Sequence, residues 1–186
     1  MSRAAVVLAA GGGSRFAGPA HKLLAPFRGR PLVTWAVAAA AEAALDETIV
    51  VSGAIDLVGV VPEGVTIIDN PGWAQGISGS LRGAVAWAER QGHEAIVVGL
   101  GDQPLVPAEA WRTVAEAHGA AILVATYAGQ RRNPVRLDRS VWAMLPVSGD
   151  EGARALVRRR PELVAEVACE GDPIDVDTVE DLRRWS

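Results

Sequence analysis

The sequence predicts a three-layer α/β/α sandwich built on a mainly parallel, Rossmann-like sheet. Three observations carry this expectation. Apolar runs that fit buried strands alternate with segments of helical periodicity along the chain. The first run, Ala4 to Ala10, is apolar at every position, as a strand covered on both faces must be. A glycine-rich stretch, Gly11-Gly12-Gly13, follows it at once, at the strand end where open α/β sheets bind ligands.

The elements follow in order. After the Gly-rich loop, which runs to about Leu24, Pro31 to Leu45 reads as a helix with proline near its first turn. Thr48 to Ser52 and Val65 to Asp69 are β-branched strand candidates. Ser80 to Arg90 places Leu81, Ala84, Val85 and Ala88 on one helical face. Ala95 to Leu100 is a buried strand, Pro107 to His118 a helix and Ala121 to Tyr127 a strand. Gly129 to Asn133 is expected to turn into a short strand, Pro134 to Leu137, so a hairpin here is the expected departure from parallel order. Asp150 is a candidate N-cap for a helix over Glu151 to Arg160. Val164 to Cys169 and Ile174 to Val176 are strand candidates. Thr178 and Asp181 have capping-box spacing ahead of a final helix.

Composition narrows the function classes. The 186 residues suit one domain, 1–186, and 49% of them are hydrophobic. A net charge of −4 gives no basic footprint for nucleic acid, and Arg158-Arg159-Arg160 reads as a solvated helix end. The single cysteine, Cys169, cannot form an internal disulfide, and the three histidines are scattered, so no zinc site is expected. No run is long enough to span a bilayer and no signal-peptide cleavage pattern follows the first strand. The expected setting is the reducing cytoplasm, away from membranes.

Five stretches carry residues suited to chemistry. Leu8-Ala9-Ala10-Gly11-Gly12-Gly13-Ser14-Arg15, with Lys22 beyond, combines close backbone approach with two cations, as a triphosphate demands. It is neither a Walker loop nor GxGxxG. Asp102, in Gly101-Asp102-Gln103-Pro104, ends an apolar strand and offers a hard oxygen for Mg²⁺, although an Asp-containing turn explains it equally. Asp175 and Asp177 share a face if their segment is extended, and one or both suit the same ion; Asp177 also suits a helix cap. Asn70 to Leu81 is a loop with Gly76, Ser78 and Ser80 ahead of a helix, fit for a base or ribose, or for capping. Arg132-Asn133-Pro134 and Ser148 to Arg154 offer a polar loop for a second, anionic substrate.

Taken in order, these blocks resemble the MobA/MocA-type nucleotidyltransferases over nearly the whole chain. LAAGGGSRF…HKLL is similar to the signature LAAGxSxRMGxxK-LL, and NPGWAQGISGSL, GDQPLV, NPV, SGDEGARAL and DVDTVEDL follow in the family's order. Ala10, where the guanylyl branch has Gly, and the NPxWxxGxSxSL and SGDxGAR blocks resemble the cytidylyltransferase branch. The resemblance implies a nucleotide-diphospho-sugar transferase type of fold and transfer of CMP from CTP to the phosphate of molybdopterin, with Mg²⁺, or Mn²⁺ in its place. It implies amides of Gly11 to Ser14 on the β- and γ-phosphates, Arg15 on the leaving pyrophosphate and Lys22 on the α-phosphate. Asp102 and Asp177 would hold the metal. Asn70, Gly76, Ser78 and Ser80 would surround the base and ribose, and Gln103, Asn133 and Asp150 would face the acceptor. Maturation proteins of molybdenum hydroxylases are the implied partners. The chain departs from the pattern at Phe16-Ala17-Gly18, where Met-Gly is usual, at Asn133, where relatives often carry His, and at Val179, where Pro is usual. The alternatives are GTP or another triphosphate with a different phosphorylated acceptor, such as a sugar phosphate or a phospholactate-type acid, guanylylation of the molybdenum cofactor, and a nucleotide-binding assembly factor without turnover.

Overall fold

The computed structural model describes residues 1–186. Seven strands form one sheet in the order β5-β4-β1-β6-β8-β7-β9, comprising β1 (Arg3–Leu8), β4 (Glu47–Ser52), β5 (Thr66–Asp69), β6 (Ala95–Leu100), β7 (Ile122–Tyr127), β8 (Gln130–Asp138) and β9 (Val164–Ala168). A small antiparallel pair, β2 (Pro26–Phe27) and β3 (Arg30–Pro31), precedes α1 (Leu32–Glu42). Helices α2 (Ile77–Gln91), α3 (Ala108–Glu116), α4 (Ala153–Arg159) and α5 (Val179–Trp185) complete the layers.

The continuous apolar run of β1 is explained by its two buried faces. Ala5, Val7 and Ala9 pack with Val33, Val37 and Trp111 of α1 and α3. Ala4, Val6 and Leu8 pack on the other side with Leu81, Ala84 and Trp142. Alternation of side chains along a strand divides the run between the two layers. A third cluster, Phe27, Leu32 and Val176, ties the β2–β3 pair to the C-terminal segment.

β1, β4, β5 and β6 are mutually parallel, and only β8 runs against its neighbours. The expected hairpin is present. Tyr127 pairs with Gln130 across Ala128 (φ 48°) and Gly129 (φ 78°), the two left-handed positions of a type I′ turn. A bulge between Val124 and Ala125 shifts the register, so β8 is longer than the four residues read from sequence.

Three local expectations are corrected. Ile174 to Val176 is not a strand; its hold on the fold is the Val176 amide donating to the Asp102 carbonyl at 2.9 Å. Asp150 is not an N-cap: α4 starts later, at Ala153, behind Gly152 at φ 52° with no side-chain cap. Ser80 does not begin its helix either, because α2 starts at Ile77 behind Gly76. The Thr178–Asp181 capping box is formed, with Asp in the usual Glu position.

The chain leaves β1 toward β4 by way of α1 on one face, and later reaches β6 by way of α2 on the other. Leu8 and Leu100 are register partners, so the loops after β1 and β6 open beside each other at the carboxyl edge of the sheet. This is the switch point at which such sheets form their crevice.

Candidate active site

The loop after Leu8 begins rigidly. The Ala9 amide donates to the Val51 carbonyl (2.9 Å) and the Ala10 carbonyl accepts from Ala54 (3.0 Å), so both alanines are buried and the chain frees itself only at Gly11. Gly12 has a packing reason to be glycine. A Cβ there would lie 2.8 Å from the Trp73 ring, which lies against the loop. His21 closes the loop: its Nε2 lies 3.0 Å from the Gly11 carbonyl and its Nδ1 accepts from the Leu23 amide at 3.2 Å. Because the Leu23 N–H can only donate, Nδ1 must be bare and Nε2 must carry the proton. Burial, reinforced by the Lys22 ammonium, lowers the His21 pKa below its ordinary 6.5 despite the Gly11 bond.

Four charged side chains meet where β1 and β6 end. Lys22 Nζ donates to Asp102 Oδ2 at 2.7 Å and to Asp177 Oδ1 at 2.9 Å. Arg15, largely exposed, reaches the other oxygen of Asp177 at 3.0 Å. Burial of the amine works against its charge, but Asp102 and Asp177 outweigh that cost and hold the Lys22 pKa above its ordinary value. The second oxygen of Asp102, Oδ1, is buried and has no hydrogen-bond partner. An anionic oxygen left unpaired in this way is costly and marks a place for a cationic ligand. No group of three or more His, Cys, Asp or Glu side chains converges to hold an ion. Asp102 and Asp177 therefore suit a hard divalent cation that takes its remaining oxygens from phosphates and water.

These groups lie on one side of a cleft of about 500 Å³. Of the residues expected from sequence, Leu8, Ala10, Gly11, Gly12, Gly13, Ser14, Arg15, Lys22, Gly76, Ser80, Asp102, Asp150 and Asp177 line it. Ala9 is buried beneath it. Asn70 stands behind the lining. Its Nδ2 donates to Ser80 Oγ at 2.9 Å and its Oδ1 accepts from the Gly72 amide at 3.1 Å, so it shapes the loop that carries the wall. Ser78 is 1% exposed and its Oγ has no partner.

A second cleft, about 680 Å³, adjoins the first and shares Leu8, Ile77, Leu100 and Asp150 with it. Its floor is aliphatic (Val98, Val124, Val135, Val157), and Arg131, Arg132, Arg154 and Arg158 stand on it. Asn133 lies here, beside the end of β6, because Val135 is the antiparallel partner of Val98. Asp175 lies here also, and it lines a further cleft together with Asp177. Burial, and then the charges of Asp102 and Asp177, raise its pKa above the ordinary carboxylate value. Gln103 lines neither cleft; it is 2% exposed and joins Asn133 to Asp175.

The two clefts are held together by one glycine. Gly76 has φ 107°, and a Cβ on it would meet the Gly149 carbonyl at 2.5 Å and Asp150 Oδ1 at 2.7 Å. The Ser78 amide donates to that same carbonyl at 3.0 Å. The 148–152 loop thus rests on the start of α2, which is how Asp150 comes to line both clefts.

Trp73, His21 and Ile77 are site residues that sequence reasoning did not select. A lone tryptophan among glycines in a loop, and a histidine directly before the loop lysine, were the available signs.

The chain matches the family described as the MobA-like NTP transferase domain over residues 5–164. It is 32% identical to the "Nicotine blue oxidoreductase" of Paenarthrobacter nicotinovorans, covering 96% of this chain and 94% of that protein. Rv0371c of Mycobacterium tuberculosis H37Rv superposes with a TM-score of 0.87 at 30% identity, covering 100% of this chain and 97% of that one. A manganese complex of the same mycobacterial protein superposes at 0.84 and 29% identity, over 100% of this chain and 98% of that one. A nucleotidyl transferase from Methanothermobacter thermautotroptrophicus gives 0.82 at 25% identity, over 98% and 95% of the two chains. With a glycine loop, a buried lysine and two facing carboxylates at the switch point of this sheet, and a family match over most of its length, the chain belongs to the MobA-like NTP transferases and is by family a nucleotidyltransferase.

Proposed function

We propose that this chain, as one domain over residues 1–186, is a divalent-metal-dependent cytidylyltransferase that joins CMP from CTP to the phosphate of molybdopterin and releases pyrophosphate. The observation that supports it best is the Lys22 ammonium held between Asp102 and Asp177 while Asp102 Oδ1 stays buried and unpaired. A lysine and a pair of carboxylates facing a glycine loop is the equipment for a polyphosphate and its cation.

In this reading the first cleft takes the triphosphate. The free amides of Gly11 to Ser14 receive the β- and γ-phosphates, and Arg15, on an exposed and adjustable side chain, follows the leaving pyrophosphate. Asp102 and Asp177 would hold Mg²⁺, or Mn²⁺, which supplies neutralisation of the phosphate charge. Lys22 then exchanges its carboxylate partners for the α-phosphate oxygens, where negative charge develops during in-line displacement. Gly76 and Ser80 line the side of the cleft given to the base and ribose, and Asn70 and Ser78 support them. The acceptor enters the second cleft, with Asn133 and Asp150 facing it and Gln103 behind. Its phosphate is already ionised at neutral pH, so the chain needs no side-chain base, and positioning carries most of the rate. We place the reaction in the cytoplasm, ahead of the maturation proteins of molybdenum hydroxylases; no helix here is long and apolar enough to cross a membrane.

The name of the Paenarthrobacter relative brings a second reading, an oxidoreductase acting in the same clefts. One screen separates the two. The four nucleoside triphosphates are tested with Mg²⁺ for pyrophosphate release, with and without molybdopterin, beside an assay for oxidation of reduced pyridine nucleotides. Release confined to CTP plus molybdopterin is the expected result. Dye-linked oxidation without pyrophosphate would replace the proposal with the second reading.

A further inference from the structure

The three glycines that follow β1 lack a side chain for different reasons. Gly13 adopts φ 62°, a left-handed backbone that side chains rarely take. A Cβ on Gly11 would meet nothing within 4 Å, so the protein itself leaves room there. Gly12 fits neither case. Its φ lies outside the left-handed range, yet a Cβ on it would lie 2.8 and 3.0 Å from two carbons of the Trp73 ring. The three atoms nearest to that Cβ all belong to Trp73.

Trp73 needs a second glycine at its other end. A Cβ on Gly53, which is also outside the left-handed range, would lie 2.7 Å from Trp73 Cβ and 2.9 Å from Ala10 Cβ. Two glycines on separate loops, after β1 and after β4, therefore make room for one half-buried indole, and neither is demanded by its own backbone angle. The indole is firmly carried. The Trp73 amide donates to the Asn70 carbonyl at 3.1 Å, and the Trp73 carbonyl accepts from the Gly76 amide at 3.1 Å. The Asn70 amide donates to the Ser52 carbonyl at 2.9 Å, and its side chain bonds Ser80 of α2. The turn is thus pinned to β4 and to α2, and a rigid ring carried on it has little freedom to yield.

We propose that Trp73 is a positioning residue for the polyphosphate: its ring is the stop against which Gly12 rests, and it holds the Gly11 to Ser14 amides at the spacing a pyrophosphate needs. The inference rests on the reading that those amides receive the leaving phosphates. It goes beyond that reading by assigning the shape of the loop to a residue from a different loop, acting through Gly12.

The test is a double-mutant cycle on the full chain, with Mg²⁺–pyrophosphate as the probe, titrated by calorimetry. This probe reads the loop without regard to base or acceptor. Gly12→Ala should bind it at least about tenfold more weakly than wild type, because the ring leaves no room for a methyl group. Trp73→Ala should weaken binding by about fivefold, because the stop is lost. Adding Gly12→Ala to Trp73→Ala should then cost less than about twofold, because the obstacle has gone. Gly11→Ala is the control. Its cost should be the same in both backgrounds, since no atom of Trp73 lies within 4 Å of that position. Melting temperatures recorded beside the titrations separate fold from binding. A Trp73→Ala chain that melts lower but binds pyrophosphate as wild type does would overturn the inference, as would a Gly11→Ala cost that depends on the background. Wild type that binds no pyrophosphate would remove the reading of the loop, and this inference with it. Binding in which Gly12→Ala costs the same with and without Trp73 would remove this inference alone and leave that reading standing.

Discussion

Lys22 is bonded to two carboxylates at once and is 9% exposed, so its removal acts on stability and turnover in different directions of metal dependence. Lys22→Met leaves Asp102 and Asp177 facing each other without their shared cation. The variant should lose about 1–3 kcal/mol of stability at low metal concentration. Because lysine and cation compete for the same oxygens, Mg²⁺ should raise the Tm of the variant more than that of wild type. Turnover should fall at least about tenfold, the worth of one charge-assisted contact in the transition state. Thermal melts with and without Mg²⁺, beside a pyrophosphate assay, check all three. Of these residues, Lys22 stood out in sequence as a cation beyond a glycine loop, whereas Asp102 at a strand end read equally as part of a turn until the family's block order was considered. The separation of Asp175 from Asp177 was not legible. Two residues apart on an extended strand share a face, but residues 174–176 are not a strand; only Asp177 lines the first cleft and only Asp175 the second, while both line a third.

The glycine-rich loop behaves as an element with its own clasp. It is anchored by β1 at one end and by His21 at the other, and Trp73 from a different loop lies against it at Gly12. The His21 pKa is lowered in the folded chain. A histidine of this kind contributes fully above its free value near 6.5 and loses its contribution as pH falls below that value, because protonation removes the Nδ1 acceptor from the Leu23 amide. CTP affinity should therefore weaken by about fivefold between pH 7.5 and 5.5, the worth of one hydrogen bond. In His21→Gln, which keeps a donor for the Gly11 carbonyl and has nothing to titrate, only the nucleotide's own titration should remain. Equal pH slopes for the two proteins, read by calorimetry, would remove His21 from the loop's control. Element types were largely legible at this scale, since periodicity reports burial directly. Helix starts were not. α2 begins three residues early, and α4 two residues late, because Gly76 and Gly152 adopt positive φ where the loops dock, a tertiary constraint absent from local pattern.

At the scale of the whole molecule, buried polar groups lie at both ends of the sheet, and Arg3 Nε at the amino end is unpartnered. At the amino edge a buried polar group is fully partnered: His93 lies between Ser2 Oγ and Glu47 at 2.8 Å each, and Glu47 also accepts from Thr66 and Trp87. At the carboxyl edge Asp102 Oδ1 and Ser78 Oγ are buried and unpartnered. Of these atoms only Asp102 Oδ1 belongs to a residue that lines a cleft, where an unsatisfied carboxylate oxygen suits a ligand. The crossovers on opposite faces of β1 put both clefts at this one edge, and Asp150 and Leu100 line both, so the clefts proposed for donor and acceptor adjoin. The central claim is that these two carboxylates support metal-assisted transfer of CMP. Its most direct test is CTP with molybdopterin and Mg²⁺, the product identified by mass, in wild type and in Asp102→Asn. The account predicts CMP joined to the acceptor phosphate in wild type and a loss of at least about 100-fold in the variant, with its fold intact by circular dichroism. Undiminished transfer by Asp102→Asn would contradict it.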